Sequence, residues 1–95
     1  MSDFVAQVIL NQLGGAGKIK TMIGAKDFVN LGSGLGFKYP TAKYVEIKLN
    51  GKDLYDLTFK SIRGMKVKEL AKYTDIYSED LVKTFEKETS LYLSF

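Results

Sequence analysis

The sequence predicts an α+β fold: an antiparallel sheet of four or five strands with an N-terminal and a C-terminal helix packed on one face. Three observations lead to it. Apolar residues recur at helical spacing near the start, two-residue alternation runs on both sides of Asn50-Gly51, and a second helical face follows Ser78. The chain has 95 residues, a length that suits one core, so residues 1–95 are expected to form a single domain.

The first element is a helix over residues 2 to 13. Phe4, Val5, Val8, Ile9 and Leu13 fall on one face, and Ser2 stands where an N-cap belongs. Gly14 and Gly15 end it, because glycine accepts the left-handed conformation that closes a helix. Lys18 to Ile23 then alternates Lys18, Lys20 and Met22 with Ile19, Thr21 and Ile23, which predicts an edge strand guarded by lysines. Residues 25 to 31 and 35 to 39 read as a hairpin turning at Gly32-Ser33-Gly34, and Pro40 closes its second strand.

The next hairpin has the clearest signal. Val45, Ile47 and Leu49 alternate with Tyr44, Glu46 and Lys48 before Asn50-Gly51, and Tyr55, Leu57 and Phe59 alternate on the return. A two-residue loop would set Asp56 across from Val45 and turn all three returning apolar residues away from the core. One extra residue near Lys52-Asp53, as a three-residue loop or a bulge, restores them to the Val45-Ile47-Leu49 face, and this register is predicted.

From Ile62 to Tyr73 the pattern fits both periods: Met65 and Val67 alternate with lysines, whereas Val67, Leu70 and Ala71 have helical spacing. A strand running into a turn is the reading adopted. Ser78 opens the last helix, with Glu79 and Asp80 in its first turn, where the helix dipole favours negative charge. Tyr77 is placed to staple onto Val82, while Leu81, Val82, Phe85 and Thr89 form the inner face. The apolar end, Leu91 to Phe95, is expected to dock on the core.

Composition removes many function classes. Cysteine and histidine are both absent, which excludes thiolate chemistry, disulfides, imidazole metal ligands and His-based proton transfer. No metal or cofactor is expected, and the chain is expected not to be an enzyme. No export signal and no apolar run near the ~20 residues of a membrane span is read, so a cytoplasmic protein without a membrane partner is expected.

Two glycine-rich stretches look like phosphate loops without matching one. Gly14-Gly15-Ala16-Gly17-Lys18 has Gln12 and Ile19 where a nucleotide loop needs glycine and Ser or Thr, and Gly32-Ser33-Gly34-Leu35-Gly36-Phe37 has Phe37 where a dinucleotide fingerprint needs glycine. Glu46, Asp53 and Asp56 read as solvated hairpin charges, and Asp75, Glu79 and Asp80 as helix-start electrostatics, not as acid-base or metal-binding sets.

Charge is segregated along the chain. Residues 18–72 hold twelve Lys or Arg against five acids (12 − 5 = +7), whereas residues 75–88 hold five acids against Lys83 and Lys87 (2 − 5 = −3); Asp3 completes the net charge of +3. Within the basic stretch, lysines interleave with aromatics: Phe37-Lys38-Tyr39, Lys43-Tyr44, and Phe59-Lys60 near Arg63. Aromatic faces stack bases and cations neutralise phosphates, so Lys38, Tyr39, Lys43, Tyr44, Lys60 and Arg63 are the nucleic-acid-binding candidates.

Ile9 to Gly15, Gly24-Ala25-Lys26-Asp27-Phe28, and Leu49-Asn50-Gly51-Lys52-Asp53-Leu54-Tyr55-Asp56 form a fingerprint that covers most of the chain. In these stretches the sequence resembles a group of small uncharacterised proteins encoded by bacteriophages, other mobile elements and the bacterial genomes that carry them. The resemblance transfers no catalytic, cofactor or binding residue. Its pattern favours glycine where this chain has Ser90, which leaves the end of the last helix less defined.

The reading reached is a non-enzymatic interaction module, acting on an unknown protein partner through a basic sheet and an acidic helix. The alternative is a sequence-independent nucleic-acid-binding protein that uses the basic, aromatic-bearing sheet surface. Oppositely charged ends also allow copies to pair, and the sequence leaves the oligomeric state open.

Overall fold

The computed structural model describes residues 2–40 and 42–91. Helix α1 spans Ser2–Gln12; its Ala6 and Ile9, with Leu13 just past its end, are buried. The glycines end it as expected, through a Schellman closure: the Gly14 N–H donates to Asn11 O (3.1 Å) and the Gly15 N–H to Leu10 O (2.8 Å), with Gly14 at φ 105°. The expected burial of Phe4, the capping by Ser2 and the docking of residues 92–95 lie outside the described residues and side chains.

The next segment corrects the sequence reading. Lys18–Ile23 is not an edge strand but the body of a second helix, α2, Ala16–Ile23. Alternation over six residues also places Ile19 and Ile23 one turn apart on the same helix face, and both are buried. Gly15 precedes the helix, and Gly24, at φ 72°, takes the left-handed C-cap conformation. An eight-residue helix is marginal in water, so burial of these isoleucines holds it in place.

Five antiparallel strands follow: β1 (Lys26–Asn30), β2 (Gly34–Tyr39), β3 (Lys43–Leu49), β4 (Tyr55–Arg63) and β5 (Lys66–Ile76). Their spatial order is their chain order, a plain meander. Leu49 faces Tyr55, Ile47 faces Leu57 and Val45 faces Phe59, the register expected from hydrophobic parity. The extra residue comes from a three-residue Gly51-Lys52-Asp53 loop with Asp53 at φ 61°, closed by Asn50 N donating to Leu54 O at 2.8 Å.

Two more aspartates act in the same way. Asp27 (φ 55°) accompanies the shift that sets Lys26 against Lys38 but Val29 against Gly36, leaving Phe28 tilted against Phe37 at 5.5 Å. Asp75 (φ 57°) accompanies the shift between the Tyr55–Ile76 and Leu57–Tyr73 pairs. Asp reaches the left-handed region more readily than most side chains, and one inserted residue restores the inward face of the strand.

The reading of residues 62–73 as a strand entering a turn also needs correction. β4 continues to Arg63, the turn is Gly64-Met65, and β5 runs on to Ile76. A further irregularity follows the Phe59–Ala71 pair, because Lys60 faces Glu69 and Leu70 is left over. Beyond β5, Ser78–Asp80 forms a 3-10 turn before helix α3, Leu81–Thr89. Tyr77, expected to staple onto Val82, remains 57% exposed.

The helices pack on one face of the sheet. Leu81 and Phe85 of α3 join Ile9, Leu13, Ile19 and Ile23 over Phe37, Val45, Ile47, Leu57 and Phe59. Phe85 is the hub, with ring centroids 6.0 Å from Phe37, 5.6 Å from Tyr39 and 6.1 Å from Phe59. Ser90 closes α3 in the left-handed conformation (φ 60°, ψ 17°) that glycine adopts most readily. Among the described residues no helix is long and apolar enough to cross a membrane.

Candidate functional site

Strand parity splits the six candidate residues into two groups. Neighbours on a strand point to opposite faces, so Lys38-Tyr39 and Lys43-Tyr44 cannot each present a cation and a ring together. Lys38, Tyr44 and Lys60 form one row across β2, β3 and β4 on the face away from the helices. Tyr39 and Lys43 pair on the helix-side face, followed across the sheet by Ser61 and Lys68, with Arg63 and Lys66 one pair further out.

The open face offers little to a ligand. Lys60 Nζ is 3.1 Å from Glu46 Oε1 in a half-buried ion pair, and Lys38 Nζ is 3.5 Å from Asp27 Oδ2. Tyr44 lies over Gly36, where an added Cβ would come within 2.1 Å of its hydroxyl oxygen. Burial raises the Tyr44 pKa, and nearby Glu46 raises it further. Tyr39 is in the core and only 5% exposed, too little for a base to stack on its ring. Burial, with Glu88 adding to it, pushes its hydroxyl up to about 12.

The helix-side face is different where the sheet extends past the core. Lys43, Ser61, Arg63, Lys66, Lys68 and Leu70 line an open concavity of about 450 Å³, with no carboxylate among its described lining residues. Arg63, Lys66 and Lys68 form no ion pair among the described residues. A second concavity of about 410 Å³ shares Lys43 and adds Lys26, Asp27, Lys38, Tyr39, Pro40, Ala42 and Ile62. Basic groups thus gather at the sheet end that carries Pro40, Ala42 and the Gly64-Met65 turn.

Lys66 and Lys68 were absent from the sequence-derived candidates. Their Lys-Val-Lys alternation places both on one face of a strand, but which face depends on two backbone features. The two-residue Gly64-Met65 turn sets Arg63 opposite Lys66, and the surplus Leu70 shifts parity so that Lys68 faces Ser61. With neither shift nor surplus, continuing from the Phe59–Ala71 pair would set Lys68 against Ile62 on the other face.

At the opposite end, the carboxylates are taken up in holding turns together. The Asn50 side-chain amide donates to Asp56 Oδ1 (3.0 Å) and Asp75 Oδ1 (2.9 Å), Asp75 N–H donates to Asp56 Oδ1 (3.1 Å), and Lys52 Nζ pairs with Asp75 Oδ2 (3.1 Å). Asn50 Oδ1 accepts from the Lys52 and Leu54 N–H groups. The cluster stitches the β3–β4 loop to the irregular end of β5. Among the described residues no group of three or more acidic side chains is placed to hold a metal ion. Compared with known proteins, the chain matches no family model, no curated protein and no solved structure.

Proposed function

We propose that this chain is a non-enzymatic binding module whose basic sheet end engages a nucleic-acid backbone without sequence preference. The observation that supports it is the concavity lined by Lys43, Arg63, Lys66 and Lys68, with no carboxylate among its described lining residues. Cations held on a rigid sheet neutralise phosphates and release condensed counterions, which supplies affinity without reading bases. Thirteen lysines and one arginine suit phosphate neutralisation better than bidentate base recognition. Such an activity would serve replication, recombination or packaging in a mobile element.

The test is fluorescence anisotropy of labelled single- and double-stranded oligonucleotides, titrated at low and at physiological salt. Saturable binding that weakens steeply with salt, and weakens further in Lys66→Ala/Lys68→Ala, is expected. Absence of binding at low salt overturns the reading.

Met65 and Leu70 favour a second reading, because these exposed apolar side chains lie at the turn and in the concavity with the cations. An acidic protein partner with an apolar anchor would use both. Its binding would survive high salt, since apolar burial and not counterion release would supply most of the affinity.

A further inference from the structure

Single strands and duplexes ask different things of a protein surface. A single strand needs exposed aromatic faces on which successive bases stack. Among the described residues Tyr77 is the one largely exposed aromatic, and it follows the C-terminal end of β5, at the far end of the sheet from the cations. Tyr39, Phe37 and Phe59 are in the core, and Tyr44 is half-buried against Gly36. Among the described residues the basic end is therefore suited to phosphates but offers no stacking platform.

What it does offer is a narrow projection. The Ile62 N–H donates to Ala42 O at 2.7 Å, tying β4 to the β2–β3 connection, and beyond that bond only Arg63, Gly64, Met65 and Lys66 continue. Arg63 and Lys66 carry the ribbon roughly 3 Å past that bond, and only the Gly64-Met65 turn and the Met65 side chain are left to enter a B-DNA minor groove ~7.5 Å deep. Gly64 adds no side chain to the turn, and Met65 is fully exposed at its tip. Arg63 and Lys66 face each other immediately behind, with Lys68 next along the same face. The ribbon with its side chains is wider than the ~6 Å minor groove, so it would stop at the groove's edges, where the phosphates are.

We infer that the preferred ligand is B-form duplex DNA, with the Gly64-Met65 tip in the minor groove, Met65 wedged against a base step, and Arg63, Lys66 and Lys68 on the flanking phosphates. This inference rests on the nucleic-acid reading above. An apolar wedge partly unstacks the step it meets and kinks the duplex, so binding bends the DNA. Duplex RNA, whose minor groove is wide and shallow, gives the tip no such seat.

The experiment uses the full chain and a duplex of about 20 base pairs carrying a donor and an acceptor dye at its ends. Energy transfer reports bending, while anisotropy on the same duplex, its single strand and an RNA duplex reports binding. The expected result is a preference for duplex DNA, a rise in energy transfer on binding, and loss of that rise in Met65→Ser when the duplex is saturated with the variant. Lys66→Ala/Lys68→Ala is expected to lower the salt slope by about 2, roughly 0.9 for each phosphate contact removed. Binding without bending, equal or tighter binding to single strands or to the RNA duplex, or unchanged bending by Met65→Ser would overturn the inference but leave nucleic-acid binding standing. No binding to any of the three at low salt overturns both. Met65 is fully exposed, so its replacement leaves the core intact, and circular dichroism of each variant checks this directly.

Discussion

Lys60 and Glu46 meet diagonally across β3 and β4, Nζ to Oε1 at 3.1 Å, with only 29% and 20% of their side chains exposed. The pair removes Lys60 from the cations offered to a ligand, although the sequence places it squarely in the basic stretch. Lys60→Ala should therefore leave the salt dependence of DNA binding nearly unchanged, while Lys68→Ala lowers the slope by about 0.9. Glu46→Gln releases Lys60 only on the face opposite Arg63, Lys66 and Lys68, so it too should leave the slope nearly unchanged. Salt titrations of the three variants followed by anisotropy check the order.

Two glycines of β2 are closed to side chains for different reasons. A Cβ at Gly34 would come within 2.0 Å of the Ile47 carbonyl oxygen, which belongs to the backbone of β3. At Gly36 it would meet the Tyr44 hydroxyl, a side-chain group that can swing away. Gly34→Ala should cost about 3 kcal/mol or more, and Gly36→Ala about 1–2 kcal/mol. Adding Tyr44→Ala should relieve the clash at Gly36 and leave that at Gly34 untouched, as urea unfolding of single and double variants will show.

Ser90 occupies a left-handed C-cap, its N–H donating to Glu86 O at 2.9 Å. Glycine adopts this conformation without the Cβ penalty that serine bears. Ser90→Gly should stabilise the fold by about 0.5–1 kcal/mol, and Ser90→Val should destabilise it. Thermal unfolding should report a rise of about 4 °C for the glycine variant, given the entropy of unfolding of a domain this size.

Alkaline stability should depend on Tyr39. Burial first, then the Glu88 charge, pushes its hydroxyl from 10.0 up to about 12 in the folded chain. In the unfolded chain the group loses its proton near pH 10. Between these values the folded state binds the extra proton, so the Tyr39 contribution is complete below pH 10 and is lost as pH rises towards 12. Tyr73, whose hydroxyl donates to Glu88 Oε1 at 2.6 Å, is shifted in the same direction, chiefly by that bond. Urea midpoints measured from pH 9 to 12 should fall less steeply for Tyr39→Phe than for the parent chain.

The interleaving of Lys38 with Tyr39 and Lys43 with Tyr44 shows how a sequence signal can mislead about a site. Residues adjacent on a strand always face apart, so each of these pairs had to be divided between the two faces. That division was legible in the sequence once the strands were placed. The side facing the helices was legible too, because Val45, Ile47, Leu57 and Phe59 must be inside. The closeness of Lys60 to Glu46 was not, since it depends on side-chain reach across a diagonal of the β3–β4 register.

The sequence by itself determined α1, the β1–β2 and β3–β4 hairpins, and the register of β3 on β4, because each has a local signal: a helical apolar face, a turn, or a parity that one wrong residue would invert. Tertiary structure alone decided α2, where six residues satisfy both periods and burial of Ile19 and Ile23 selects the helix. It also decided the basic end of the sheet. The Gly64-Met65 turn and the unpaired Leu70 set which face receives Lys66 and Lys68, and an inserted residue of this kind has no period of its own. Cations spread along a chain become a site only when strand pairing brings them side by side.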